Sequence, residues 1–172
     1  MRIRDIKYPS FNSSEGIAVE FFFSGCTKDC EGCHNPELQD FNNFRWKCNP
    51  LEAISLITKG YRYSNTIVLT GGEPLEQEGI IEFLGLLREN FKSKSIWLYT
   101  GWDIEEVDKN IINNVDFIKT GGFDKFSSIK NSKWLASGNQ VIWKIEGGIS
   151  YRYYDEVNGY SENYCKSKSV VL

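Results

Sequence analysis

The stretch CTKDCEGCHN, residues 26–35, decides how the rest of the chain is interpreted. Its cysteines, Cys26, Cys30 and Cys33, have the spacing C-x3-C-x2-C, and no fourth cysteine is near enough to complete a local set. Three thiolates can hold an iron–sulfur cluster at three of its four irons, whereas the usual cluster has four cysteine ligands. The fourth iron then keeps an open position, as catalytic metal sites do, and a small molecule can bind there.

Other sites for these cysteines have to be weighed against the cluster. A zinc ion bound by the three cysteines and His34 has suitable ligand types, but the neighbours Cys33 and His34 rarely reach one metal together. A zinc deaminase needs an H-x-E motif before its paired cysteines, and the only histidine of the chain follows them. A thioredoxin-like pair of Cys30 and Cys33 leaves Cys26 unexplained. The cluster therefore explains the pattern best, with zinc as the main alternative.

The segment before the cysteines is an apolar strand. Residues 16–23 are apolar on most of both faces, which is typical of a buried parallel sheet. In such sheets, binding sites collect at the carboxyl ends of the strands, where the cysteine loop begins. The two predicted faces carry Ile17, Val19, Phe21 and Phe23 on one side and Ala18, Glu20 and Phe22 on the other.

Strands and helices alternate along the rest of the chain, which predicts βα units. Too few units are present to close an eight-fold barrel, so we expect an α/β fold, a partial, open (βα) barrel with a mainly parallel sheet. The chain is predicted to form one domain, 1–172, with a core at about 16–146 and a polar, Tyr-rich tail at about 150–172. The further predicted strands are 66–70, 95–100, 115–119 and 140–145, and the predicted helices are 49–60, 75–91 and 103–110.

Three further segments have irregular or short patterns. Residues 1–15 are mixed and polar and predict a turn region. Residues 36–48 are irregular and aromatic, and they form either a lid over the cluster or an ordinary surface loop. The helix from Asn49 and Pro50 is predicted to end at Gly60. Its apolar stripe is predicted from Leu51, Ile54, Leu56 and Ile57.

Composition narrows the functional class. The chain has 172 residues with 20 Lys and Arg against 23 Asp and Glu, so its net charge of −3 gives no basic footprint for nucleic acid. Five cysteines, of which Cys48 and Cys165 stand alone, argue against a disulfide framework and for a reducing compartment. No apolar run is long enough to span a membrane, and the N-terminus lacks the apolar region of a signal peptide. We therefore expect a cytoplasmic chain without a membrane or nucleic-acid partner.

The cysteine motif after an apolar strand, together with GGEP at residues 71–74, resembles the radical S-adenosylmethionine (radical SAM) superfamily. The resemblance implies a radical SAM type of barrel and a 4Fe-4S cluster held by Cys26, Cys30 and Cys33. It also implies that the open iron binds S-adenosylmethionine, which one electron cleaves to a 5′-deoxyadenosyl radical. These three cysteines are then the catalytic as well as the metal-binding residues.

A closer resemblance covers most of the chain. It rests on SGC at 24–26, CEGC at 30–33, TGGEPL at 70–75, WLYTG at 97–101 and SGNQ at 137–140. These motifs are similar to the activating enzymes of anaerobic (class III) ribonucleoside-triphosphate reductase. That family implies an oxidoreductase that generates a glycyl radical on the reductase, with a low-potential electron donor such as flavodoxin. The alternative is an activase of another glycyl-radical enzyme, or the same chemistry on another substrate; an electron carrier is a third possibility.

The resemblance also assigns cofactor contacts, to His34, Gly71, Gly72, Glu73, Thr100 and Lys119. Two glycines allow the backbone to approach a ligand closely, so we expect a substitution of Gly72 to impair cofactor binding more than folding. The chain departs from the family pattern in three places. Gly32 occupies a position where the superfamily often has an aromatic residue, and His34 occupies one where many family members have Tyr. Residues 120–122 lack the Asp and Lys that many members have there. Lys119 is either the contact to the methionine carboxylate or a solvated lysine.

Overall fold

The computed structural model describes residues 1–58, 63–156, 159–160 and 169–170. Within them the helices are α1 (Pro50–Thr58), α2 (Ile80–Asn90) and α3 (Lys109–Ile112). The strands in chain order are β1 (Arg2–Ser10), β2 (Ala18–Phe23), β3 (Trp46–Lys47), β4 (Thr66–Gly71), β5 (Ser95–Tyr99), β6 (Phe117–Thr120), β7 (Val141–Glu146), β8 (Ile149–Asp155), β9 (Gly159–Tyr160) and β10 (Ser169–Val170).

All described strands form one open sheet. Its order is β10-β8-β7-β6-β5-β4-β2-β1-β3, with β9 paired to β8. The four middle strands, β2, β4, β5 and β6, are parallel, and antiparallel strands extend the sheet on both sides. The sheet does not close, because β3 and β10 lie at its two ends. The predicted open α/β architecture is confirmed, with the parallel strands at its centre.

The two faces of the sheet pack against different parts of the chain. Val19, Phe21 and Phe23 of β2 pack in the main core, which also contains buried side chains of all three helices. Ala18 packs on the other face, in a smaller cluster with Val68, Trp97, Phe117, Trp134, Leu135, Ile142 and Tyr153. The alternation predicted for residues 16–23 is confirmed within β2, whose second face points away from the helices. Ile17, predicted on the first face, lies before β2 and is exposed.

Strand β1 takes up residues 2–10 of the predicted N-terminal turn region, and bends follow at residues 12–17. It pairs antiparallel with β2, and its register shifts between Ile3 and Asp5. Ile3 belongs to the main core and Ile6 packs against it, although they are three residues apart. A strict two-residue alternation would put them on opposite faces, and the irregularity brings both to one face. The sequence of this strand therefore does not show the two-residue period that would predict it.

Strand β8 takes up the beginning of the predicted tail. It forms a hairpin with β7 through Gly147 and Gly148, both of which have positive φ, 60° and 78°. Two such residues make the tight turn whose twist matches a hairpin, and the Gly-Gly pair was a signal for it. The rest of the tail, including Tyr164 and Cys165, lies outside the described residues except for the short strands β9 and β10.

The helices differ from expectation mainly at their starts. Helix α1 begins as predicted, because the side chain of Asn49 accepts from the Glu52 N–H and that of Glu52 accepts from the Asn49 N–H, each at 2.9 Å. Its buried residues are Pro50, Ala53, Ile54 and Ile57. Of the predicted apolar stripe, Leu56 is half-buried and Leu51 is exposed. The predicted stop at Gly60 lies outside the described residues.

The other two predicted helices are interrupted. A 3-10 turn at Pro74–Glu76 precedes α2, and Gly79 between them has φ +80°, outside the helical region. The predicted helix 103–110 is a 3-10 turn at Ile104–Glu106 followed by α3, because Val107 is extended and Asp108 caps the second segment. Among the described residues, no helix has the length and apolarity to cross a bilayer.

Candidate iron–sulfur and cofactor site

The carboxyl ends of the parallel strands meet at one cavity of about 260 Å³. The cysteine loop follows β2, the Gly-Gly-Glu segment closes β4, Thr100 follows β5, and Lys119 lies in β6. The structure therefore brings every residue that the sequence assigned to the site to the same cavity, while their individual roles stay predictions. These lining residues are Cys26, Cys30, Cys33, His34, Gly71, Gly72, Glu73, Thr100 and Lys119.

The three thiols border this cavity, none of them is in a disulfide, and each cysteine is half-buried. Burial raises the pKa of Cys26 to about 11. A thiol in such a place becomes a thiolate when a metal replaces its proton. In the described part of the chain, no three His, Cys, Asp or Glu side chains converge closely enough to hold a single metal ion. The donor set, three thiols spread around one cavity, fits an iron–sulfur cluster.

Residues 36–43 brace the cysteine loop from behind. The Gly25 N–H donates to Leu38 O at 2.8 Å, and the Cys26 N–H donates to Gln39 O at 3.2 Å. A Cβ on Gly25 would lie 2.3 Å from the ring of Phe41, so the ring packs directly on the loop backbone. The segment predicted as a lid or a surface loop thus fixes the backbone that carries Cys26.

Glu76 is a site-forming residue that the sequence did not reveal. Its carboxylate accepts from the Thr27 N–H at 3.1 Å and from the Thr27 hydroxyl at 2.5 Å. These bonds tie the cysteine loop to the segment that follows Gly72. Glu76 comes three residues after Glu73 and looks like an ordinary acidic residue of a first helical turn, so no sequence signal distinguishes it.

Glu73 is 1% exposed and links two strand ends. Its carboxylate accepts from the Leu75 N–H at 2.9 Å, from the Thr100 hydroxyl at 2.9 Å and from the Gly101 N–H at 2.8 Å. Burial raises the pKa of Glu73 to about 7 despite these three donors. The carboxylate is therefore held rigidly at the cavity wall, where a cation would stabilise its charge.

Gly71 and Gly72 are needed for a different reason than the sequence indicated. Gly71 has φ +113°, and a Cβ there would lie 2.4 Å from the backbone N of Phe23. A Cβ on Gly72 would lie 2.5 Å from Leu38 O and 2.6 Å from Gly25 O. The close approach is thus to the chain's own backbone, so a side chain at Gly72 would displace the cysteine loop and affect folding as well as the cavity.

Lys119 is buried, with 8% of its surface exposed, which rules out the solvated lysine. Its Nζ donates to Trp134 O at 2.9 Å and lies 4.7 Å from the centre of the Tyr99 ring. Burial lowers the pKa of Lys119 to about 8. Thr120 does not line the cavity, and its hydroxyl accepts from the Trp143 indole at 2.9 Å.

The loop after β6 completes the cavity beside Cys30. A Cβ on Gly122 would lie 3.2 Å from the Cys30 sulfur. Asn139 donates to Gly122 O at 2.9 Å and Gln140 donates to Gly121 O at 3.0 Å, so the SGNQ motif holds this loop in place.

An aromatic wall compensates for the missing aromatic residue at Gly32. A Cβ on Gly32 would lie 3.5 Å from the ring of Phe123, so that ring occupies the neighbouring space. The rings of Phe123 and His34 lie 4.6 Å apart and both line the cavity. The sequence could not show this, because the two residues are nearly ninety positions apart.

Comparison with known proteins agrees with this site. The family model described as a 4Fe-4S single cluster domain matches residues 13–143. The chain is similar to the anaerobic ribonucleoside-triphosphate reductase-activating protein of enterobacteria phage T4, at 32% identity over 149 residues, covering 83% of this chain and 94% of that protein. Proteins of the same name from Haemophilus influenzae and Escherichia coli K12 are 26% and 28% identical, covering 78% and 74% of this chain and 92% and 88% of theirs.

The fold is also similar to a solved structure, that of QueE from Escherichia coli. The TM-score is 0.50 with 15% sequence identity, and the match covers 69% of each chain. At this identity the likeness concerns the fold alone.

Proposed function

The chain belongs to the 4Fe-4S single cluster domain family and to the family of anaerobic ribonucleoside-triphosphate reductase-activating proteins, and from this premise we propose that it activates such a reductase. Activation here means generating a glycyl radical on the reductase. The chain is then an oxidoreductase that uses S-adenosylmethionine as its cofactor. The names of three relatives from different sources support this target.

Cys26, Cys30 and Cys33 are the residues that would hold the cluster. Their common cavity supports this, and the fourth described cysteine, Cys48, does not line it. When bound, the cluster supplies the electron that splits S-adenosylmethionine into methionine and the 5′-deoxyadenosyl radical that takes hydrogen from the glycine. The chain itself binds and orients the reactants and keeps water away from them.

One observation carries the cofactor assignment: Lys119, a buried cation, and Glu73, a buried carboxylate, line the same cavity without being paired. A second buried carboxylate in the lining, Glu20, already accepts from the hydroxyls of Ser10 and Ser13. Neither Lys119 nor Glu73 forms an ion pair with another described residue. Buried charges are costly unless an opposite charge meets them. The methionine part of S-adenosylmethionine carries one ammonium and one carboxylate, which match this pair. We assign the amino group to Glu73 and the backbone of Gly71 and Gly72, and the carboxylate to Lys119.

The remaining two assigned residues have supporting geometry. The Thr100 hydroxyl donates to Glu73 and accepts from the Trp102 N–H at 3.1 Å, so it orients the carboxylate at the cavity wall. His34 forms the aromatic wall with Phe123, a surface on which the adenosine part can pack. Thr100 thus positions Glu73, and His34 contacts the cofactor.

Partners and location follow from the chemistry. A reductase segment with the glycine has to reach the cavity, and an electron donor such as flavodoxin has to reduce the cluster. Reduced thiols and an oxygen-sensitive cluster require a reducing compartment, so we propose a cytoplasmic protein. The net charge of −3 does not favour a nucleic-acid partner.

The buried charges of Lys119 and Glu73 also distinguish an activating enzyme from a simple electron carrier. A carrier has no use for a buried cation and a buried anion beside its cluster, and it would not respond to S-adenosylmethionine. The test is to add S-adenosylmethionine to the cluster-loaded protein and to measure binding by calorimetry and the change in the spectrum of the cluster. An unchanged spectrum would favour the carrier.

Lys119→Met gives a sharper test, because we expect opposite effects on binding and stability. The loss of a hydrogen bond to a charged group, about 1.5–3 kcal/mol, should weaken binding of S-adenosylmethionine about tenfold to a hundredfold at pH 7. The melting temperature of the cofactor-free protein should not fall, because the substitution removes a buried charge. A lower melting temperature with unchanged affinity would make Lys119 a structural residue only.

The pH dependence of this stability has a defined sign. The pKa of Lys119 is about 8 in the folded chain against an ordinary 10.5, so the folded state binds fewer protons between these values. The cost of burying the charge is fully present below pH 8, and stability contributed by this group rises from pH 8 to about 10.5. Affinity for the carboxylate should fall above pH 8, where Lys119 loses its charge. Both dependences should be absent from Lys119→Met.

A further inference from the structure

A second, basic groove lies beside the cluster cavity. It measures about 310 Å³ and is lined by Arg4, Asp5, Lys7, Phe22, Asn35, Glu37, Leu38 and Arg45. The basic side chains extend beyond it, because Arg2 and Lys47 face each other across β1 and β3. Of the charged side chains that line the groove, Arg4, Lys7 and Arg45 are positive, and Asp5 and Glu37 are negative. With Arg2 and Lys47 the surface carries five positive and two negative side chains, although the chain as a whole has a net charge of −3.

The arrangement of these charges is unfavourable for the isolated protein. Like charges directly opposite each other on paired strands are destabilising, as Arg2 and Lys47 are here. Arg4 of β1 and Arg45, the residue before β3, line the same groove. Among the described residues, Arg4, Lys7, Arg45 and Lys47 form no ion pair. An acidic partner would neutralise this surface.

The groove touches the cluster site from outside the cavity. Phe22 and Asn35 line both, so they form a shared wall. The backbone N–H of Asn35 donates to the sulfur of Cys33 at 3.5 Å. A protein in the groove would therefore contact Asn35, whose backbone N–H bonds a thiol that we assign to the cluster. The cavity itself would stay open to the glycine segment.

Resting on the proposed function, we infer that this basic groove is the docking surface for an acidic protein that delivers the electron. Charge complementarity and the shared wall single out that occupant, because the cluster has to be reduced from outside. In the step, a flavin hydroquinone of the donor is oxidised to the semiquinone as the cluster is reduced by one electron. Charged side chains at the edge of a sheet also discourage pairing with strands of other proteins. Charges of either sign would serve that purpose, so it does not explain why most of these are positive.

The test compares Arg4→Glu/Arg45→Glu with the control Lys92→Glu/Lys109→Glu. The control makes the same charge change at exposed lysines after α2 and in α3. Stopped-flow absorbance follows reduction of the cluster-loaded protein by an acidic flavodoxin in its hydroquinone form. At low salt the groove variant should be reduced about tenfold to a hundredfold more slowly than the control, because rim charges set the association rate. The difference should vanish at about 1 M salt, where the Debye length is about 3 Å.

A second measurement separates this inference from the proposed function. With photoreduced 5-deazariboflavin, an uncharged small reductant, the groove variant should cleave S-adenosylmethionine and activate the reductase as the control does. Equal rates of reduction by flavodoxin in the two variants would overturn the inference. So would loss of reductase activation with the small reductant, which would make the groove a docking surface for the reductase. Failure of the wild-type protein with the small reductant would instead count against the proposed function.

Discussion

We expect Cys30→Ala to abolish the iron–sulfur cluster and all activity that depends on it. With two thiols left at the cavity, the cluster would have two unligated irons, and water would enter the space beside Gly122. The measurement is the iron and sulfide content of the reconstituted protein, together with its visible absorption. We expect the same result for Cys26→Ala and Cys33→Ala, because all three border the cavity.

Cys48→Ala is the matched control for this loss. Cys48 is half-buried, packs against the main core and lines a different surface, near Met1 and Pro50. Its variant should keep a full cluster. Cys165 lies outside the described residues, and we expect Cys165→Ala to keep the cluster too. Iron retained in Cys30→Ala, or iron lost in Cys165→Ala, would contradict ligation by these three cysteines.

Gly72→Val is expected to have the second largest effect, on stability and cluster content together. A Cβ at this position would overlap two carbonyl oxygens, Leu38 O and Gly25 O, which are backbone atoms that cannot rotate away. Overpacking typically costs about 1–3 kcal/mol. Relief of the overlap has to move the loop that carries Cys26, so binding of iron and S-adenosylmethionine should fall with the melting temperature.

Gly85→Ala provides the opposite control. Gly85 lies in α2, and a Cβ there would meet nothing within 4 Å. In a helix interior alanine is more favourable than glycine by about 1 kcal/mol of folding free energy. This variant should therefore be slightly more stable than the wild type and should keep a full cluster. Thermal unfolding and iron analysis of both variants measure the contrast. A Gly72→Val protein with the wild-type melting temperature and cluster would refute the packing at this strand end.

The site could be predicted from the sequence to the extent that it depends on strand ends. The cysteine loop, the Gly-Gly-Glu segment, Thr100 and Lys119 each follow or end a strand with a clear apolar pattern. Parallel strands bring their carboxyl ends to one edge, so the meeting of these residues follows from the fold. Burial of Lys119 follows from its position in a central strand.

What the sequence could not show depends on contacts between distant segments or on irregular geometry. The register shift in β1 hides its alternation, and the Phe123 ring replaces an aromatic residue that the cysteine motif lacks. Glu76 and residues 36–43 hold the cysteine loop through a few hydrogen bonds, most of them to its backbone. Such bonds leave no periodic or compositional trace, since many polar side chains and any backbone carbonyl can accept them.

We propose that this chain places a radical on a glycine of an anaerobic ribonucleoside-triphosphate reductase. The most direct test is electron paramagnetic resonance of a mixture of the reduced, cluster-loaded protein, S-adenosylmethionine and the reductase from the same source. The account predicts a glycyl doublet that is absent when Cys30→Ala replaces the wild-type protein. Rapid cleavage of S-adenosylmethionine without a glycyl signal on that reductase would contradict the claim and indicate another substrate for the same chemistry.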